Sequence, residues 1–259
     1  MTTLLFYENP IPLNTDLHLN TRIKQIGDFR FASPTNSIPI AAGEFVDAAR
    51  EYPIAFTGEQ GNALFPIALL GVRKNENLFV TPAAEWDGSY IPAFVRRYPF
   101  VLAEKLDADD FNVYIDEAYE GFGKKDGARL FSDDGEPSVL LTQAMDFLSS
   151  YQGEIIRTRT FMERLQELDL LVPRVLQVER KDATPIVLEG FSVVDEERLV
   201  ALDDTQLLDL ARSGYLIWIY AHLMSLGNVS RLSMRLDQRI SADEQAATPE
   251  KSLTKFDLN

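Results

Sequence analysis

The chain has 259 residues, 46% of them hydrophobic, with no cysteine and a formal charge of −15 from 40 acidic and 25 basic residues. That length and apolar content support one large domain or two closely packed halves, and the lack of thiols removes thiolate catalysis, disulfides and zinc–thiolate sites. So acidic a chain repels a phosphate backbone, which makes nucleic acid an unexpected partner. With no run of ~18 apolar residues and no basic, apolar leader, a cytoplasmic location without membrane insertion is expected.

Residues 1 to 37 carry Pro10, Pro12 and Pro34 among short apolar pieces. They predict an irregular arm packed along the body, without ordered helix. Phe45, Ala48, Ala49 and Tyr52 share one helix face, and Pro53 ends a short helix there. Pro53 to Thr57, Phe65 to Arg73 and Asn77 to Thr81 read as consecutive antiparallel strands. Pro92 and Pro99 bracket a helix of about two turns containing Arg96-Arg97, and Phe100 to Ala103 and Phe111 to Ile115 are further strands.

From Pro137 the apolar period changes. Ala144, Leu148, Tyr151, Ile155, Thr158, Met162 and Leu165 recur at steps of four and three, the seam of a long helix with a kink anticipated at Gly153. Arg174 to Arg180 and Ile186 to Val194 alternate like a hairpin, and Asp195 and Asp203 begin two further helices. Between Gly214 and Gly227 lie twelve nearly uninterrupted apolar residues with His222 near the end, which predict a core helix buried on nearly every side. Arg231, Arg235 and Arg239 share one face of a last helix, and a mobile tail is expected from 240 to 259. The expected fold is therefore α+β: a single domain over residues 38–239 whose antiparallel sheet, built mainly by residues 38–131, packs on a long helix and a C-terminal helical section.

The acidic excess is local. Glu104 to Glu136 hold eleven acids against four bases, which reads as a solvated rim or as a docking surface for a basic partner. No Gly-x-Ser-x-Gly elbow and no P-loop string occurs, and Gly121, Gly123 and Gly127 miss the dinucleotide spacing. A calcium loop read from Asp116 has Gly127 where its last position needs Glu. With only His18 and His222 available, no metal and no cofactor is expected.

Six residues remain as candidates for a binding site: Arg96, Arg97, Asp116, Glu117, Tyr220 and His222. His222 serves either as a general acid or base or as a satisfied core histidine, and His222→Leu should be tolerated if it is only a core filler. Adjacent residues on a helix point ~100° apart, so Arg96 and Arg97 cannot both face one internal acid. Arg97, three residues after Phe94, lies nearer the buried side and is expected to pair with Asp116 or Glu117, leaving Arg96 toward solvent.

The strings Ala48-Ala-Arg-Glu-Tyr-Pro-Ile-Ala-Phe56, Tyr90-Ile-Pro-Ala-Phe-Val-Arg-Arg-Tyr-Pro-Phe-Val-Leu-Ala103, Val194-Asp-Glu-Glu-Arg-Leu199 and Ile219-Tyr-Ala-His-Leu-Met-Ser-Leu226 resemble the SapC family of bacterial proteins. The likeness runs from about Ile38 to Leu232. This family is distinct from the peptide-transporter permease and the saposin that share its name. It is named for a surface-layer gene cluster, and its members tend to be encoded near outer-membrane receptors, flavin-dependent halogenase-like proteins and cupin-like oxygenases. The resemblance implies a protein partner from a surface-protein or modification-enzyme system, and it carries no catalytic residue. The reading that follows is a non-catalytic binding or accessory protein. The alternative is an enzyme acting on a small anionic or peptide substrate in a pocket near Arg96 and His222.

Overall fold

The computed structural model describes residues 4–58, 64–104, 111–180 and 183–247. In chain order the elements are β1 (Pro10–Pro12), α1 (Thr15–His18), β2 (Arg22–Ile23), β3 (Ser37–Pro39), α2 (Phe45–Ala48), β4 (Ile54–Thr57), β5 (Phe65–Leu69), α3 (Ala93–Arg96), β6 (Phe100–Glu104) and β7 (Phe111–Asp116). Then follow β8 (Phe122–Gly123), β9 (Ala128–Arg129), α4 (Val139–Glu167), β10 (Leu171–Arg180), β11 (Ala183–Val194), α5 (Glu196–Val200), α6 (Asp204–Arg212), α7 (Tyr215–Ser225) and α8 (Val229–Ala247). The fold is α+β, with every strand pair antiparallel.

Among the described residues three sheets form, in the orders β1-β7-β6, β10-β11-β4-β5-β3 and β8-β2-β9. The largest takes two of its five strands from the hairpin at 171–194, so the sheet reaches further along the chain than residues 38–131. The chain stretch 77–81, expected as a strand, is a turn whose one β-type pairing is an isolated Val80–Trp86 bridge outside the three sheets. Buried Asn77 makes it, donating Nδ2–H to Ala32 O and accepting from Phe79 N–H, which diverts the backbone from ladder pairing.

The first 37 residues are more ordered than their prolines suggest. In β1 the residues that face β7 are the odd ones, as the Leu13 N–H to Val113 O and Glu117 N–H to Asn9 O bonds at its two ends require. Pro10 and Pro12 therefore point their missing N–H away from the ladder, on an edge strand where nothing is lost. Asn14 caps α1 by accepting from Leu17 N–H, a helix signal overlooked among the breakers.

α4 runs unbroken through Gly153 for 29 residues, ~43 Å at 1.5 Å per residue. Ser138 caps it by accepting from Leu141 N–H. Its length lets it serve two cores. Leu141 and Leu148 join Ile23, Phe100, Ile115, Leu130 and Phe131 over the small sheets, while Tyr151, Phe161, Met162 and Leu165 belong to the main core over the five-stranded sheet. α3 is one turn, shorter than its flanking prolines suggest. α8 does present its three arginines on one face: Arg231 donates to Arg50 O, Arg235 to Asp87, and Arg239 to Val80 O. That helix continues to Ala247, past the start expected for a tail, and residues 248–259 lie outside the described residues.

Asp116, at the end of β7, ties the N-terminal segment to this body. Its fully buried carboxylate accepts from Asn9 N–H at 2.8 Å, Glu8 N–H at 3.1 Å, Tyr98 Oη–H at 3.1 Å and Ala118 N–H at 3.3 Å. Asp116→Ala should lower unfolding free energy by about 3 kcal/mol or more in urea denaturation, because it strands several buried donors at once. Exposed Glu117, which among the described residues accepts from Asn9 Nδ2 alone, should tolerate alanine within ~0.5 kcal/mol.

Candidate functional site

The six candidate residues occupy four places. His222, on α7, is fully buried and lines a seam between strands. β11 meets β4 in register at one pair only, Ser192 opposite Phe56. Beyond it the strands part, and the imidazole fills the gap: Nδ1 lies 3.0 Å from Ile54 O and Nε2 accepts from Val194 N–H at 3.1 Å. Nε2 as acceptor fixes the proton on Nδ1, which donates to the carbonyl. One turn on, Ser225 Oγ accepts from Ile54 N–H at 2.9 Å, so α7 satisfies both backbone groups of Ile54. Burial pulls the His222 pKa from 6.5 to about 4, and the bond to Ile54 only partly offsets it. His222 is thus a neutral rung of the sheet.

Arg96 and Arg97 split as the helix geometry requires, with Arg96 exposed and Arg97 partly buried. The expected acid partner of Arg97 is absent. No ion pair joins either arginine to a carboxylate among the described residues, since Asp116 has its lone pairs filled by the four donors above. The Arg97 guanidinium instead lies 4.0 Å from the Phe94 ring centroid and within 6 Å of those of Tyr7 and Tyr151. Burial pushes the hydroxyls of Tyr7, Tyr98 and Tyr151 well up, so all three stay protonated. Arg96 packs over Phe147 at 5.1 Å and forms the ridge between two clefts. One, of about 370 Å³, is shared with Arg97, Phe100 and the first half of α4. The other, of about 320 Å³, runs to Glu44, Tyr151 and Glu154. His222 lines neither.

Tyr220 lies elsewhere, and it overturns the expectation that α7 is buried on nearly every side. Ile217, Tyr220 and Met224 are 62%, 46% and 78% exposed. With Val46 and Ala49 of the α2 region and with Leu216 and Ala221, they line an apolar groove of about 560 Å³. Length and hydropathy cannot reveal this face, because an apolar run reads the same whether its outer side meets protein or water. The signal available was the i, i+3, i+7 spacing of Ile217, Tyr220 and Met224 opposite His222.

Among the described residues no group of three or more His, Asp and Glu side chains is placed to hold a metal ion, and no helix is long and apolar enough to cross a membrane. Within the acidic stretch, Asp116 is a buried staple rather than part of a rim, and 105–110 lie outside the described residues.

His222 gives a signed pH prediction. Its folded pKa is below its unfolded value, so the unfolded chain binds the extra proton. The resulting stability is complete above pH 6.5 and is lost as pH falls toward about 4. The lowered pKa corresponds to about 3 kcal/mol. His222→Leu, which leaves Ile54 O and Val194 N–H unpaired, should therefore not be neutral. It should cost about 2–4 kcal/mol at pH 7 and show a smaller deficit at pH 4 in paired urea titrations. An equal deficit at both values would refute the neutral-rung assignment.

A family model described as SapC matches residues 13–232. Comparison with curated proteins and with solved structures found no match. The matched region starts within the N-terminal segment, earlier than the strings from Ile38 onward suggest, and it contains α1 through α7, both Arg96 clefts and the α2–α7 groove. The chain belongs to the SapC family.

Proposed function

We propose that this protein is a non-catalytic binding or accessory protein serving a cell-surface or outer-membrane-receptor-linked system, and that it engages its protein partner through the α2–α7 groove. The observation that supports this reading is the row of Val46, Ile217, Tyr220 and Met224 left in water around one continuous apolar groove. Single exposed apolar residues are ordinary, but a contiguous groove of them is the usual mark of an interaction face. Tyr supplies a large amphipathic anchor and Met an adaptable one, which suits an apolar protein segment better than a polar solute. Membership of the SapC family supports a partner drawn from surface proteins or the enzymes that modify them.

The alternative of an enzyme with Arg96 and His222 in one pocket lacks support, because His222 is spent on Ile54 and Val194 and is absent from both clefts that Arg96 lines.

The test is a photo-crosslinking residue placed at Ile217 and, as control, at exposed Val139 on α4. In the native host at physiological salt, the Ile217 site should give a defined adduct with a surface protein or modification enzyme, and the Val139 site should not. Ile217→Asp with Met224→Asp should abolish the adduct from a probe at Tyr220 while changing stability by ~0.5 kcal/mol or less per site. Recovery of no such partner, or of one indifferent to the double variant, would remove this assignment.

A further inference from the structure

Seven arginines of the described residues are partly buried, and six of them give their guanidinium to a carbonyl or carboxylate oxygen. Arg22 donates to Gly127 O, Arg129 to Asp133, Arg164 to Glu167 and Asp209, Arg180 to Asp237, Arg235 to Asp87, and Arg239 to Val80 O. Arg97 gives its to none, and its Nε is buried without a hydrogen-bond partner. The Tyr7 hydroxyl beside it, which donates to Phe100 O at 2.7 Å, offers the guanidinium only a neutral acceptor oxygen and no counter-charge.

A chain with 40 acidic residues has no shortage of carboxylates to place there. A partly buried cation with its Nε shut off from water and no counter-charge is costly, and the Phe94 ring compensates only in part. No carboxylate among the described residues forms an ion pair with this guanidinium, and the cleft beside it is open to a ligand.

The cleft beside it defines what else that anion must carry. Arg96 and Arg97 enter the same cavity of about 370 Å³, whose remaining walls include Phe100, Leu140, Ala144, Phe147 and Leu148. This volume is at the lower end of the ~300–1,000 Å³ typical of small-molecule sites. A bare inorganic anion would leave those walls unfilled, and a neutral hydrocarbon would leave the guanidinium unpaired. A dianion is further disfavoured by the overall charge of −15. We propose that the Arg96–Arg97 cleft binds a small amphipathic monocarboxylate, its carboxylate on the planar guanidinium fork and its chain or ring among the α4 side chains. This site is separate from the α2–α7 groove and stands whether or not that groove binds a protein.

The test uses octanoate below its micelle-forming concentration, with 1-octanol and inorganic phosphate as partial mimics, read by thermal unfolding and by calorimetric titration. Octanoate should raise the wild-type Tm and bind, while octanol and phosphate at the same concentration do neither. Arg97→Gln should weaken octanoate by about tenfold or more and Arg96→Gln by less, whereas Ala144→Trp should abolish binding by filling the cleft. Ile217→Asp should leave it unchanged. If Arg97→Gln does not fold, Arg96→Gln and Ala144→Trp decide the matter, since Arg96 is exposed and Ala144 lies on the cleft wall. The proposal is overturned if octanoate does not bind the wild type, if octanol or phosphate binds as well, if Ala144→Trp binds undiminished, or if Ile217→Asp removes binding.

Discussion

The bond pair from His222 to Ile54 and Val194 is the constraint on which most of this architecture depends. β4 lies in the first quarter of the chain and β11 in the last third, and their ladder consists of one residue pair. A sheet that opens this early would expose the N–H and C=O of Ile54 to an apolar interior, where each unpaired group is destabilising by a few kcal/mol. α7 closes the opening with two side chains one turn apart, Ser225 on the N–H and His222 on the carbonyl. The helix is thereby fixed in depth and rotation against the sheet. Because 100° separates consecutive residues, the turn of helix that puts His222 inward puts Ile217, Tyr220 and Met224 roughly opposite, toward solvent. The exposed apolar face is thus a geometric consequence of the core, and rotating α7 to bury it would break the seam.

A second constraint acts at the other end of the molecule. Asp116 collects four donors from three segments and leaves no lone pair for the guanidinium close by. The carboxylate of this region is buried and its cation partly buried, without the two being a pair. The carboxylate is stabilised by N–H and O–H groups, the cation by aromatic faces. That division uses the acid to hold residues 8 and 9 in place, and it leaves Arg97 with unspent hydrogen-bonding capacity next to a cavity.

Local chemistry was legible in the sequence wherever one residue sufficed to decide it. Asp195 and Asp203 cap helices where an N-cap carboxylate predicts a start, and the seven-residue seam of α4 holds for its whole length because periodicity survives any tertiary context. The hairpin strands and the shared face of Arg231, Arg235 and Arg239 follow from the same kind of repetition. What failed needed knowledge of register. Pro10 and Pro12 look like breakers until Ile11 is known to face Ile115, and only then are both prolines seen to sit at positions that need no donor. The six candidate residues failed as a single site for a related reason. Arg96 and Arg97 share one cleft that His222 does not reach, and Tyr220 and His222, two residues apart, lie on opposite faces of α7.

Those two residues also show why the composition of α7 is informative once its orientation is known. A helix held against the body by one face ordinarily carries charge on the other, as α6 does with exposed Asp204 and Arg212. α7 carries no charged residue over its eleven positions, although its outer face is open to water like that of α6. Core packing accounts for Trp218, Ile219 and His222, and it places no demand on Ile217, Tyr220 or Met224. For these outward positions a charged or small polar side chain would satisfy the fold equally well and would keep the surface better solvated. The partner contact proposed above would account for apolar residues there, and the neighbouring Val46 extends the same surface onto a second helix that no local pattern in α7 could have shaped.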